Sequence, residues 1–247
     1  MISPLTESWL YTGAGTAAGL GLAWGGCAYA ALWPGSQIFG RTLIAPARPG
    51  EIALTFDDGP NPEATPRLLD ILARHQVRAT FFLIGRHAAS QPRLVEQTIA
   101  AGHLIGNHSW THPNLALTSP RRVLDELTRT SRRLEQIAGV PVRFFRPPYG
   151  ARRPGVLGAA RSMGMIPVLW NAMTNDWAEP SPERIARKLG AAVDRNQRRG
   201  RAANIVLHDG GQRALGADRG PSVAAAEALV ARYKQTHRFV TLDAWDE

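Results

Sequence analysis

Two adjacent carboxylates, Asp57 and Asp58, close the apolar run 52–56 and precede a Gly-Pro turn. Like charges side by side at the end of a buried strand are tolerable near a divalent cation, where one can ligate while the other stays free to take a proton. Further along, "NHSWTHP" sets His108 and His112 four residues apart. On a helical turn both imidazoles would face one side and could grip one ion. Asp58 would complete a two-histidine, one-carboxylate set with positions open for water and substrate, the arrangement of a catalytic rather than a structural site. Arg146, Asp176 and His208 follow later strands. Taken singly, each such residue reads as a turn former, a helix cap or a surface charge; seven at successive strand ends read as a site.

Residues so placed need strands that end at one face. Strand-like runs at 52–56, 79–85, near 103–108, at 142–146, 166–170, 204–208 and 238–242 alternate with segments of helical period. Helices are predicted at 65–74, from Pro92, at 119–137, 154–163, 182–193 and 221–233. This alternation predicts an α/β domain with a mainly parallel sheet. About seven units in some 200 residues, with polar residues following strand after strand, suit a closed or nearly closed (β/α)7 barrel whose site lies at the C-terminal mouth. No glycine-rich dinucleotide fingerprint follows the first strand to favour an open doubly wound sheet.

The ordered motifs Thr55-Phe-Asp-Asp-Gly59, His108-Ser-Trp-Thr-His-Pro113, Arg146-Pro-Pro-Tyr-Gly150, Asp176-Trp177 and Val206-Leu-His208 resemble those of the polysaccharide deacetylase family with the NodB homology domain, carbohydrate esterase family 4. The resemblance runs over roughly residues 50–242. It implies a distorted (β/α)7 barrel that removes acyl groups, usually acetyl, from sugars with a divalent metal, most often Zn2+. By position, Asp58, His108 and His112 would hold the metal and Asp57 would be the general base. Arg146 would orient Asp57, the Tyr149 N–H would meet the oxyanion, and His208, partnered by Asp176, would protonate the leaving amine. Trp177 and Val206 would line the pocket for the acyl methyl. Met173 stands where many members carry an acid, and Val206 where leucine is usual, a change worth about 1 kcal/mol of pocket contact. His75, His87, His103 and His237 match no catalytic position and are read as structural or surface residues.

The chain has 247 residues, a formal net charge of +9, one cysteine and only two lysines, so arginine carries nearly all the positive charge. The balance favours acidic partners. Cys27 alone can form neither an intrachain disulfide nor a cysteine-based zinc cluster. Residues 1–33 form an apolar segment with no charge from Trp9 to Trp33, long enough for a single-pass membrane helix with aromatic ends. A cleaved signal peptide is the rival, but no basic residue precedes the apolar run. Family resemblance would place the domain in the cell envelope, whereas Arg41 and Arg48 after the span would place it in the cytoplasm. Residues 34–50 read as a linker and 51–247 as the deacetylase-like domain.

The leading expectation is a metal-dependent hydrolase of N-acetylated glycans such as peptidoglycan or chitin-like oligosaccharides. The alternatives are deacylation or deformylation of a lipid-linked sugar, and a non-catalytic glycan-binding module. Arg121, Arg122, Arg129, Arg132 and Arg133 recur along one helix and read as a solvated face, and the basic segment 195–201 as a solvated loop. Without an ordered base-reading motif, no nucleic-acid partner is expected.

Overall fold

The computed structural model describes residues 25–246. A short helix, α1, occupies residues 25–32. The stretch after it lies along the sheet edge, where Leu43 bridges Val168 and Ala45 is buried. Strands and helices then alternate: β1 Glu51–Gly59, α2 Ala64–His75, β2 Thr80–Leu83, α3 Gly85–Ser90, α4 Pro92–Ala100, β3 Leu104–Asn107, α5 Pro120–Ala138, β4 Phe144–Phe145, α6 Pro154–Ser162, β5 Ile166–Pro167, β6 Ala172–Met173, α7 Pro182–Arg198, β7 Ala203–His208, α8 Gly220–Tyr233 and β8 Arg238–Val240. All pairings are parallel, in the order β5-β4-β3-β2-β1-β7-β6, with β8 beside the start of β1. The sheet curls as the distorted barrel requires but stays open, because β5 and β6, consecutive in the chain, are its two edges.

The two-residue period of β1 decides where chemistry can sit. Ile52, Leu54 and Phe56 pack outward with Leu68 and Leu72 of α2 and Val223 and Leu229 of α8, whereas Ala53 packs inside the barrel with Phe82, Phe144 and Val168. The inner row continues through buried Thr55 to Asp57 at the mouth. Strict alternation would turn Asp58 away from it. Instead Asp58 has a φ of 72° and the β1–β2 register shifts between Asp57 and Gly59. Such an irregularity re-aims the end of a strand, and both carboxylates reach one pocket.

Helix signals held closely. In α5, Pro120 opens the helix, Gly139 ends it at a φ of 70°, and Val123, Leu127 and Leu134 form the buried stripe. Arg121, Arg122, Arg129 and Arg132 lie exposed on its outer face. Other expectations need correction. The strand predicted over 166–170 is regular only at Ile166–Pro167; beyond it the Val168 N–H still donates to the Phe145 carbonyl at 2.8 Å, and on the other edge the Leu169 N–H donates to the Leu43 carbonyl at 2.8 Å. Asp57 and Asp58 belong to β1 rather than following it. α3 and β6 were not foreseen.

Among the described residues no helix is long and apolar enough to cross a membrane, so the single-pass anchor finds no support there. The predicted span up to residue 24 lies outside the described residues. The described end of that segment is tied to the domain by buried Arg152, which donates to the carbonyls of Ala31 at 3.1 Å, Trp33 at 2.6 Å and Ser36 at 2.9 Å. A cation at the end of α1 also complements the helix dipole.

Candidate active site

Asp58, His108 and His112 offer ligand atoms that lie within 4.8 Å of one another, and all three are buried. His108 does not reach the site on a helix: residues 108–114 form an irregular loop, with Ser109 and His112 at φ of 63° and 61°. The loop is held from below by the side chain of Asn107, which accepts from the Ser109 N–H at 2.8 Å. From the side, buried Glu126 of α5 accepts from the N–H groups of Trp110 at 2.8 Å and Thr111 at 2.7 Å. The two histidines share a side because these contacts over-determine the loop, not because of the 3.6-residue period.

Whether a cation fits follows from the tautomers. His108 Nδ1 lies 2.7 Å from the Arg146 carbonyl, so it must carry the proton and donate. That leaves Nε2 bare, 3.4 Å from Asp58 Oδ1, two acceptors facing each other. His112 Nε2 stands 3.1 Å from the same oxygen, which makes no hydrogen bond despite its burial. A cation shared by the three removes the repulsion, and the Nδ1-to-carbonyl bond is the usual support of a metal-bound imidazole. The residues therefore fit a divalent metal.

Asp57 sits beside the ligand set without joining it, with Oδ2 3.9 Å from His108 Nε2. Its Oδ1 accepts from Arg146 at 2.7 Å. Arg146 is fully buried in the barrel, donates also to Thr55 Oγ at 2.7 Å, and lies over the Phe82 ring at 4.1 Å. Burial lowers its pKa and the Asp57 charge opposes that shift. The arginine holds one carboxylate oxygen and leaves the other towards the pocket.

Across the sheet, Asp57 on β1 and His208 on β7 are register partners. Asp176 accepts from the His208 N–H at 2.8 Å, pairs with its Nδ1 at 2.9 Å, and accepts from Ser222 Oγ at 2.7 Å. Burial would lower the imidazole pKa, but the Asp176 charge and hydrogen bond, with Asp58 and Asp57 adding, raise it to about 9. The Trp177 ring packs edge-on against His208 with centroids 5.0 Å apart.

All ten expected site residues except Arg146 and Asp176 line one pocket of about 330 Å³; those two stand behind Asp57 and His208. Tyr149, at a φ of 60°, packs edge-on to His112 with centroids 4.7 Å apart, and Val206 lies at the pocket floor. Met173 lines it too, 44% exposed.

Several contributors were not read from the sequence. Gln212 and Arg219 line the pocket from the loop after β7. Glu126 has a sequence signal, being the one charged residue on the buried stripe of α5. His87 is structural as expected, yet it backs the ligand strand, its Nδ1 3.2 Å from the Asp58 carbonyl. Asp209 is buried against Gly59, and Thr65 donates to it. Burial first, then the charges of Asp58 and Asp57, raise its pKa to about 7. His103 is buried behind β2, while His75 and His237 make outer contacts with Lys234 and Thr236.

Known proteins share the chain's sequence pattern and fold. The polysaccharide deacetylase family model matches residues 45–168. A chitooligosaccharide deacetylase of Bradyrhizobium sp. (strain ANU 289) is 41% identical over 160 residues, covering 64% of this chain and 70% of that protein. A peptidoglycan-N-acetylglucosamine deacetylase of Bacillus cereus is 40% identical over 151 residues, 61% of this chain and 55% of the relative. The crystal structure of the Bc1960 peptidoglycan N-acetylglucosamine deacetylase superposes with a TM-score of 0.72 at 34% identity, over 82% of this chain and 91% of that one. Carrying the family's fold over a metal-ready Asp-His-His set, the chain belongs to the polysaccharide deacetylases of carbohydrate esterase family 4.

Proposed function

We propose that the protein is a metal-dependent hydrolase that removes N-acetyl groups from an amino-sugar glycan of the peptidoglycan or chitin type. The observation that carries the reading is the bare His108 Nε2 facing the unpartnered Asp58 Oδ1, 3.4 Å apart, in the pocket that also holds Asp57 and His208. Asp58, His108 and His112 would hold the cation, Zn2+ by the two-nitrogen, one-oxygen donor set, and when bound it supplies Lewis acidity to the acetyl carbonyl and the attacking water.

The rest falls to the chain's own groups. Asp57, fixed through Oδ1 by Arg146, takes the proton of the attacking water on Oδ2. The Tyr149 N–H meets the oxygen on which negative charge develops. His208, kept protonated by Asp176, gives its Nε2 proton to the departing amine as the C–N bond breaks. Base and acid come from register partners on adjacent strands, so they flank one scissile bond. Trp177 and Val206 would give the acetyl methyl an apolar seat.

The test is acetate and amine release from N-acetylglucosamine oligomers by metal-stripped protein, before and after Zn2+ is restored, beside Asp57→Asn. Activity that returns with metal and stays absent in the variant is expected. Full turnover by Asp57→Asn would remove the aspartate from its role, and no turnover by the wild type with Zn2+ bound would overturn the deacetylase reading.

A further inference from the structure

Beside the catalytic pocket runs a second, larger hollow of about 1030 Å³ along the open edge of the sheet. It shares Trp170 and Met173 with the catalytic pocket, so the two adjoin across these side chains. Four arginines, Arg41, Arg195, Arg199 and Arg201, line it, and no aspartate or glutamate does. All four are exposed, and among the described residues none lies within 4.0 Å of a carboxylate. Elsewhere on the surface arginines do find acids, as Arg74 does with Glu227, Arg232 with Asp194 and Arg238 with Glu51.

Helix electrostatics account for part of the cluster only. Arg195 and Arg199 lie at the end of α7, where cations complement the dipole. Arg201 follows in the same basic segment and donates to the Ala45 carbonyl at 2.9 Å, whereas Arg41 comes from a distant part of the chain, its carbonyl accepting from Arg161. Four like charges gathered round one concavity repel unless an anion enters, and a concave wall of one sign concentrates anions. Trp33, 58% exposed on the same wall, offers an aromatic face beside them.

We infer that this arginine-lined groove, which runs from the catalytic pocket towards the start of β7, is an extension of the substrate site that takes carboxylate or phosphate groups carried by the acceptor at a distance from its N-acetylated sugar. The inference rests on the deacetylase reading for what occupies the pocket, and it sets acidic acceptors above neutral chitin-like ones. Carboxylates on a peptide-bearing glycan and the phosphates of a sugar pyrophosphate present the same chemistry to the groove.

The test uses the full chain and two triple variants, Arg41→Gln/Arg195→Gln/Arg199→Gln in the groove and Arg93→Gln/Arg121→Gln/Arg132→Gln on the outer faces of α4 and α5, which change the net charge equally. Arg201 is left intact because it holds Ala45. Binding of neutral N-acetylchitotetraose, a muropeptide tetrasaccharide with free carboxylates and a sugar pyrophosphate is measured by calorimetry on metal-stripped protein, and turnover is measured with Zn2+ restored. An acidic ligand should bind the wild type and the outer-face variant roughly tenfold more tightly than the groove variant at low salt, with the gap closing at high salt. Neutral oligomer should bind all three alike. Whichever anionic ligand shows the gap identifies the source of the charge. Equal binding by wild type and groove variant, or an equal loss in both variants, overturns the inference. A wild type that binds acidic ligand through the groove yet releases acetate from none of the acceptors overturns the deacetylase reading instead.

Discussion

Replacing Asp176 by asparagine separates the orientation of His208 from its charge. Ser222 Oγ and the His208 N–H both donate to Asp176 Oδ2, so the asparagine must keep its carbonyl there and turn its NH2 towards His208 Nδ1. The acceptor that favours the imidazolium is then gone. The raised value of about 9, against 6.5 ordinarily, is worth about 3 kcal/mol of preference for the charged form. If that preference is lost, the fraction of protonated His208 at pH 8 falls from roughly nine-tenths to roughly 3%, a loss of about 30-fold, whereas at pH 6.5 the loss is about twofold. The assay is kcat/KM for acetate release from pH 6 to 10, with a thermal melt to confirm folding. The alkaline limb should move down by about two pH units. Stability follows the same sign: a folded-state pKa raised from 6.5 to about 9 contributes stability that is complete below 6.5 and lost as the pH rises through 9, and the variant lacks that slope. An equal loss of activity at pH 6.5 and pH 8, with the limb unmoved, would refute the charge argument and leave Asp176 as a positioning group only.

Arg146→Met strips the partner from buried Asp57 and should cost about 3–5 kcal/mol in urea unfolding, part of it recovered in the Asp57→Asn/Arg146→Met double variant. A cost below about 1 kcal/mol would contradict the burial of the pair. Gly210→Ala would place a methyl 2.1 Å from the Asp58 carbonyl oxygen, where backbone cannot yield, so it should lose about 1–3 kcal/mol or more and weaken Zn2+ binding in a competition titration. Gly158→Ala, with open space round its Cα on exposed α6, should instead gain about 0.5–1 kcal/mol and leave metal affinity unchanged.

The parts of this fold that the sequence made legible are those set by short-range physics. The inner and outer rows of β1 follow from a period of two, and the ends of α5 from Pro120 and Gly139. The site residues were legible because the chain keeps them in ordered motifs at the ends of strands. What escaped depends on long-range contact. The outer edge of β5 is covered by Leu43, more than 120 positions away in the chain, which donates to the Pro167 carbonyl and accepts from the Leu169 N–H. Glu126 looks like one more charge on an arginine-rich helix until its carboxylate is found bonded to two N–H groups of the histidine loop. Arg41 reads as a charge flanking the apolar segment and Arg195 as part of a solvated loop until the fold sets them on one concavity.

The histidine pair is brought together by a geometry other than the one its spacing suggests. The four-residue spacing suggested a helical turn, but a helix would have tied the N–H of His112 to the carbonyl of His108. In the folded chain that N–H goes to Ser109 Oγ at 3.1 Å, and His108 spends its Nδ1 proton on the Arg146 carbonyl. The second contact couples the histidine set to the arginine that holds Asp57 through one residue's main chain. The same Arg146 whose guanidinium fixes Asp57 also fixes, through its carbonyl, which nitrogen of His108 is bare. A shift of the strand that carries it would therefore disturb His108 and Asp57 together, and the fully buried packing of Phe144, Phe145 and Arg146 is what prevents that shift.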